Sequence, residues 1–519
     1  MSTTDSALAA APPPAPAAHH AVNLMIVVAV VLCAVLEVLD STIVNVALPH
    51  IESAFGATND QITWILTSYI VSSVVVMPLT GLMAQLIGRK RLILTSIIGF
   101  TVFSALCGLA QSLDMMVLFR LGQGMFGAFL IPLSQSILFD AFPREKRGQA
   151  MAMFGLGVIV APVLGPTIGA FLTDTFSWRM VFYVNIPIAG LALIMMTGEL
   201  PDDQPRKVRI DWPGLALLML AIGALQFMLD QGQTLDWFSS RVIQSAAFVS
   251  AVSFLAFLVR GIGKADNIID LGLFSDRNYL LASAIIAAFA VSMFGGIALL
   301  PLFVQGLLGY PVMMAGHLFI PRGLAAGFSM VFTGAVLVSR VDARVLAAIG
   351  LVLTAWSNWM IAVLPMEVTF WDLAWPGVVA GFGMGLIFVP LSTLAFDSIA
   401  RSRQDEASGL YAVTRQLGSS IGIAAVAASL SRAVAMNHSH LVEHVTPYAA
   451  AARTYLAPLG LTPETPRGAA LIAQQVQMQA AHLAYVQVFA LLALIPLAIL
   501  PLLLFMHRPT HGAGMPAGH

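Results

Sequence analysis

Charge is what this chain of 519 residues has least of. Asp, Glu, Lys and Arg make up 10% of it, while 58% is hydrophobic and the mean hydropathy is +0.87. Soluble domains carry about 25% charged residues, so no soluble core could hide this much apolar surface. A net charge of −1 excludes the basic balance of a nucleic-acid binder. Cysteine is nearly missing: Cys33 and Cys107 both fall in apolar stretches, read as small core residues, and exclude a disulfide framework. No Gly-x4-Gly-Lys-Ser/Thr loop is found, which argues against an ATP-driven pump. No basic region precedes the first apolar stretch. Residues 1–21, rich in Ala and Pro, therefore read as a disordered cytoplasmic tail and not as a signal peptide, and the first span serves as its own insertion signal. Nothing calls for a cofactor or a metal, and no catalytic constellation marks an enzyme. His438, His440 and His444 read as solvated loop histidines.

What is present is a succession of apolar stretches. A bilayer-spanning helix needs about 20 mostly apolar residues. Fourteen windows meet this, at 24–48, 61–83, 92–110, 115–138, 150–172, 180–200, 213–230, 243–261, 280–304, 313–338, 344–364, 373–396, 409–431 and 484–506. The seventh is short. The expected fold is an all-α polytopic membrane protein. With the N-terminus in the cytoplasm, seventeen Lys and Arg fall in inside loops, five in outside loops and three within spans, accounting for all 25. This bias supports fourteen spans with both termini inside. One outside segment is long: residues 432–483, rich in Ala and Gln and punctuated by Pro447, Pro458, Pro463 and Pro466. Two helical stretches are expected in it, near 448–457 and 467–483, and a docking role for a partner protein.

Asp40 lies inside the first window, with Glu37 one turn earlier. A carboxylate within a membrane helix is costly and by default functional. At about 100° per residue, Glu37, Asp40, Ser41 and Asn45 share one arc of the helix, which should face a protein interior or a water-filled cavity. Arg120 sits within the fourth window. Measured from the window centres at 1.5 Å per residue, Asp40 and Arg120 both lie about 6–7 Å to the outer side, so carboxylate and guanidinium match in depth. Arg322, in the tenth window beside Pro321 and Gly323, falls at similar depth. The simpler reading of Arg120, an end residue snorkelling to the interface, fits this depth poorly.

Three further motifs stand out. The loop after the second window runs Gly81-Leu82-Met83-Ala84-Gln85-Leu86-Ile87-Gly88-Arg89-Lys90-Arg91; its glycines allow a tight turn and its bases can meet helix C-termini. Arg120-Leu121-Gly122-Gln123-Gly124-Met125-Phe126-Gly127-Ala128 places two glycines for close helix contact. The fifth window carries Gly157, Ala161, Gly165 and Gly169 at every fourth position with Pro162 and Pro166 between them. This is a small-residue packing face with bends, read as a hinge or a seal.

In order and spacing, the Leu39–Pro49 run, the Gly81–Arg91 loop, the Arg120–Ala128 run and the Ala161–Ala170 run resemble the motifs of the major facilitator superfamily. More narrowly, they are similar to its fourteen-span drug:proton antiporters of the EmrB/QacA type. The segments Leu225–Asp230, Leu235–Ser240 and Thr414–Gly422 extend the resemblance, which covers roughly 24–506. It implies a six-helix half over 22–200, two inserted helices within 201–262, and a second six-helix half over 263–506 that includes the outer segment 432–483. A cytoplasmic tail would follow at 507–519. It also implies proton-driven export of hydrophobic compounds across a bacterial inner membrane. A periplasmic membrane fusion protein (EmrA-like) and an outer-membrane channel (TolC-like) would complete the route. Three positions depart from the family pattern: Gln85 stands where an Asp is common, Ala170 where a Gly is, and Glu37 where a neutral residue is expected.

On this reading Asp40, Glu37, Arg120 and Arg322 form the proton-coupling set. Asn45, Trp64, Tyr69, Gln123, Trp356, Trp359 and Arg415 line the substrate cavity, and Gly81, Gly88, Arg89, Arg91, Gly157, Pro162, Gly165, Pro166 and Gly169 serve conformational change. Two other readings stand beside multidrug export: a dedicated exporter of one endogenous amphiphile such as a fatty acid, a lipid or a siderophore, and a non-pumping membrane module. Asp40 together with Arg120 speaks against the last.

Overall fold

The computed structural model describes residues 24–143, 146–200, 205, 210–261, 271–445 and 450–507. The tail 1–21, most of the C-terminal tail, and Arg144, Arg206, Lys207, Arg209, Lys264 and Arg508 of the charge count lie outside them. The described residues are helical, with no strand among them. Thirteen helices are long and apolar enough to cross a membrane. In chain order with the fifth helix included, they are α1 Leu24–Phe55, α2 Asp60–Ile87, α3 Arg89–Leu109, α4 Leu113–Ala141, α5 Arg147–Thr175, α6 Met180–Gly198, α7 Trp212–Gln231, α8 Arg241–Gly261, α9 Arg277–Leu307, α10 Met313–Leu337, α11 Ala343–Ala362, α12 Phe370–Phe396, α13 Arg401–His444 and α14 Pro466–Phe505. Each expected window finds its helix, the short seventh included.

Local chemistry sets the helix ends. Ser112 accepts from the Met115 amide at the start of α4, and Asp276 from the Tyr279 amide at 2.9 Å at the start of α9. Thr369 and Asp372 form a capping box on α12, and Thr465 caps α14 with Pro466 in its first turn. Pro162 and Pro166 lie inside α5 without ending it. The small-residue face of α5 packs on α1: a Cβ on Gly169 would stand 2.9 Å from the Ile43 carbonyl oxygen, and one on Gly165 would overlap the Thr42 hydroxyl. Only glycine permits this approach.

Helices α1–α6 pack into one bundle and α9–α14 into a second. The inserted α7 and α8 pair with each other and rest on α2 and α13 through α7. There Gln231 donates to Thr67 Oγ1 at 3.0 Å and Gln226 to Ser420 Oγ at 2.9 Å. Arg260 at the end of α8 grips Asp211 before α7 through three bonds of 2.7–3.1 Å. The two bundles meet along α5 with α10 and α12, and along α2 and α4 with α13. Phe154 stacks on Phe388 there, and Phe139 packs on Phe396.

The outer segment differs from expectation in one respect. A short helix, Ala450–Leu456, matches the first predicted stretch. The second is not separate, because residues 466–483 are the opening turns of α14. On the other side α13 continues as helix through His444. No proline interrupts 404–446, and its Ala-rich sequence favours propagation. The two projecting ends are tied together where Asn437 Nδ2 donates to Gln487 Oε1 at 3.2 Å.

Candidate functional site

Five helices of the first bundle converge on Asp40, which is fully buried. Arg120 of α4, also fully buried, holds one carboxylate oxygen through Nη1 at 2.6 Å. Gln123, one turn further along α4, donates to the other oxygen at 2.9 Å and accepts from Arg120 Nη1 at 2.8 Å. Asn185 of α6 donates to the same oxygen at 2.9 Å and to Ser104 Oγ of α3 at 3.0 Å. Ser104 in turn donates to the Phe182 carbonyl at 2.8 Å. From α2, the Ile65 carbonyl accepts from Arg120 Nε at 3.3 Å, and the Tyr69 ring lies 4.2 Å from the guanidinium carbon.

The depth match read from the sequence therefore ends in an ion pair. Breaking a buried pair by deleting one partner typically costs about 3–5 kcal/mol, because the survivor is an uncompensated charge. Asp40 receives one cation and two amide donors. Glu37, nearly buried on the same helix, has a thinner shell: among the described residues its one hydrogen bond comes from the Ile131 amide at 3.3 Å, and Arg415 of α13 lies within Coulombic reach from the other bundle.

Tyr69 and Gln123 are thus partners of the ion pair and not open cavity wall. Asn45 is exposed, bonded back to the Ser41 carbonyl. Trp64 is exposed beside Phe227 of α7. Trp356 and Trp359 stand on the outward side of α11, each 54% exposed, while Thr354, Ser357, Asn358 and Ile361 form its buried side. Tryptophan on the outer face of a spanning helix suits the bilayer. Arg322 is not brought to Asp40: it lines a narrow cavity in the second bundle. Asn185 and Ser104 went unrecognised in the sequence. A lone Asn in the apolar run after Val184 was the signal available.

The Gly81–Arg91 loop forms a latch between the bundles. Gly88 adopts φ +88° between α2 and α3, a conformation that favours glycine. Arg89 pairs with Asp140 at the end of α4 and with Asp405 of α13 at 2.5 Å. Ser136 also donates to Asp405, at 2.5 Å. Gly81 packs against Glu406, where an added Cβ would come within 2.6 Å of backbone. With Gln85 in place of the common Asp, the acids that meet Arg89 are Asp140 and Asp405. Arg91 is exposed.

Fourteen apolar helices, twelve of them in two bundles of six, with a buried Asp–Arg pair and a glycine-arginine latch, agree with the match of the Major Facilitator Superfamily profile to residues 30–423. The chain belongs to the Major Facilitator Superfamily. This superfamily member is 35% identical over 494 residues to the Multidrug export protein EmrB of Escherichia coli (strain K12), covering 94% of this chain and 96% of that protein. It is 33% identical over 494 residues to the Fatty acid resistance protein FarB of Neisseria gonorrhoeae, at 94% and 96% coverage. Among solved structures, the human organic anion transporter MFSD10 (TETRAN) superposes with a TM-score of 0.60 at 14% identity, covering 92% of this chain and 99% of that one. That likeness is one of fold. The chain is a multi-pass membrane protein, and its family is one of transporters.

Proposed function

We propose that this transporter is a proton-coupled antiporter that exports hydrophobic and amphiphilic toxic compounds. It would do so across a bacterial inner membrane, with the basic loops and both termini in the cytoplasm. The observation that carries this reading is the Asp40–Arg120 pair, fully buried and bonded by side chains and backbone of α2, α4 and α6. While Arg120 stays in contact, the Asp40 carboxyl has a counter-charge 2.6 Å away. A proton reaching Asp40 removes the charge that holds Arg120, and departure of the guanidinium leaves an acid that favours the neutral form. Proton loading and a shift of α4 against α1 are then one event. Glu37, facing Arg415 across the interface, supplies a second carboxylate whose protonation loosens the two bundles. The relatives' names, multidrug export and colistin resistance among them, support a hydrophobic or amphiphilic cargo.

A second reading, export of one endogenous amphiphile, is favoured by the 33% identity to a fatty acid resistance protein. Inside-out membrane vesicles given an acid-inside pH gradient test the coupling directly. They should accumulate ethidium and a medium-chain fatty acid, and a protonophore should abolish both. Accumulation that persists without the gradient would overturn proton coupling, and a fatty acid moved to the exclusion of drugs would favour the second reading.

The projecting ends of α13 and α14 are the part of the molecule suited to meet a periplasmic membrane fusion protein of the EmrA kind, which leads to an outer-membrane channel of the TolC kind. Residues 432–444 alone extend α13 by about 20 Å at helical rise. Replacing 440–480 with a short Gly/Ser linker should abolish co-purification of the adaptor and lower drug resistance in cells while transport in proteoliposomes survives. Retained adaptor binding would rule out docking there.

A further inference from the structure

The two bundles are built from the same order of helices, so the environment of Asp40 has a counterpart. Ser104 and Asn358 stand fifteen residues into α3 and α11, and Arg120 and Gly377 seven residues into α4 and α12. Asp40 of α1 has its counterpart in or next to Ser292 of α9. Asn358 Nδ2 donates to Ser292 Oγ at 3.2 Å, and Ser292 donates to the Leu492 carbonyl of α14 at 2.8 Å. The polar cluster is thus repeated, but with serine in place of the carboxylate and glycine in place of the arginine.

A cation is present all the same. Arg322 enters from α10, its Cβ 3.5 Å from where a Cβ on Gly377 would stand. It lines a cavity with Ser292, Ser357, Asn358 and Phe489. No acidic side chain lines that cavity, and among the described residues none forms an ion pair or hydrogen bond with the Arg322 side chain. Other cationic side chains within the bundles have partners or acids in reach: Arg120 has Asp40, and Arg415 has Glu37. Guanidinium carries five donors in a planar fork that matches a carboxylate, and a cation inside a membrane protein without a counter-charge is costly. Arg322 is partly exposed, so a guest can reach it, and Met293, Leu300, Ile361 and Phe489 supply the apolar part of the cavity lining.

We propose that the Arg322 cavity of the second bundle is a binding site for a single monovalent anion of the carboxylate type, either the head group of an exported amphiphilic acid or a free small anion. The site deepens the export reading by naming a substrate class, but it stands on the absence of an internal counter-charge and can be tested without transport.

Detergent-purified full-length protein in low-salt HEPES buffer, free of carboxylate and chloride, is titrated with octanoate, octanol, octyltrimethylammonium or chloride, and the thermal midpoint is followed. Octanoate should raise the midpoint in a saturable way, while octanol and octyltrimethylammonium should not. Arg322→Gln should raise the half-saturating octanoate concentration about tenfold or more, the equivalent of one charge-assisted hydrogen bond. Gly377→Asp supplies an internal carboxylate where a Cβ meets only ordinary contacts of 3.5 and 3.7 Å. It should raise the midpoint without ligand and abolish the octanoate response, so the result does not depend on Arg322→Gln folding well. If chloride reproduces the octanoate effect at similar concentration, the occupant is a free small anion; if only octanoate acts, it is a head group with its tail. An octanoate response unchanged in both variants, or matched by octyltrimethylammonium, overturns the site. Loss of gradient-driven export in vesicles with the anion response intact would instead count against proton coupling alone.

Discussion

In the first bundle Asp40 meets Arg120 and two amide donors at zero exposure; in the second, the corresponding helices join Ser292 to Asn358 and leave Arg322 without a counter-charge. Asp40 and Arg120 neutralise each other, whereas Arg322 has no ion-pair partner among the described residues. A self-neutralised pair can exchange a proton without taking anything else from solution. An unpaired cation is neutralised only by what it binds. On the proposed reading, the same helical frame separates the residues of proton coupling from those of anion recognition, and that division can be broken or sharpened one residue at a time.

The largest effect should come from Asp40→Asn. It keeps the size and hydrogen-bonding capacity of the side chain but cannot titrate, so vesicles carrying it should lose pH-driven accumulation while still binding substrate. Accumulation at the wild-type rate would move the coupling site elsewhere. Arg120→Ala comes next, because it strands a buried carboxylate. We expect a loss of about 3–5 kcal/mol in unfolding experiments, with much of it restored in the double variant Asp40→Asn/Arg120→Gln, which leaves no charge behind. Equal losses in the single and double variants would mean that the pair contributes little beyond packing.

Asn185→Ala removes one donor to the carboxylate and one partner of Ser104, and should cost about 1–3 kcal/mol. The second bundle's matching bond, from Asn358 to Ser292, joins neutral groups. Asn358→Ala should therefore cost less, near the lower end of that range, and the reverse order would erase the contrast between the halves. The smallest effect is expected for Glu37→Gln: transport should continue, with its pH optimum displaced. A pH profile superimposable on wild type would show that Glu37 does not titrate in the cycle.

Much of this was legible in the residues. Long apolar runs determine spanning helices because a bilayer tolerates few alternatives, and α7, with only 20 residues, obeys the rule as well as the longer ones. The Asp40–Arg120 pair was legible because intramembrane charge is rare and depth can be counted along a helix. Rotation about the helix axis was not legible in the same way. Trp356 and Trp359 have the chemistry of a cavity wall but sit on the outward side of α11, and Arg322 has the right depth for Asp40 but belongs to the other bundle. Depth is a one-dimensional quantity, whereas membership of a site also needs an angle and a neighbour. Asp405 shows the same limit: the latch acid comes from a residue more than 300 positions from Arg89, a pairing that no local motif encodes.

The latch has a mechanical consequence. Asp405 is the second residue of an unbroken α-helix, Gln404–His444, of 41 residues, so the carboxylate that Arg89 grips sits at one end of a rod about 60 Å long. A tilt of about 10° at the gripped end swings the free end by about 10 Å over that length. The opposite end is braced to α14 through Asn437 and Gln487, so both projecting arms travel together. A partner docked on the arms, as proposed, would be displaced when the Arg89–Asp405 contact opens.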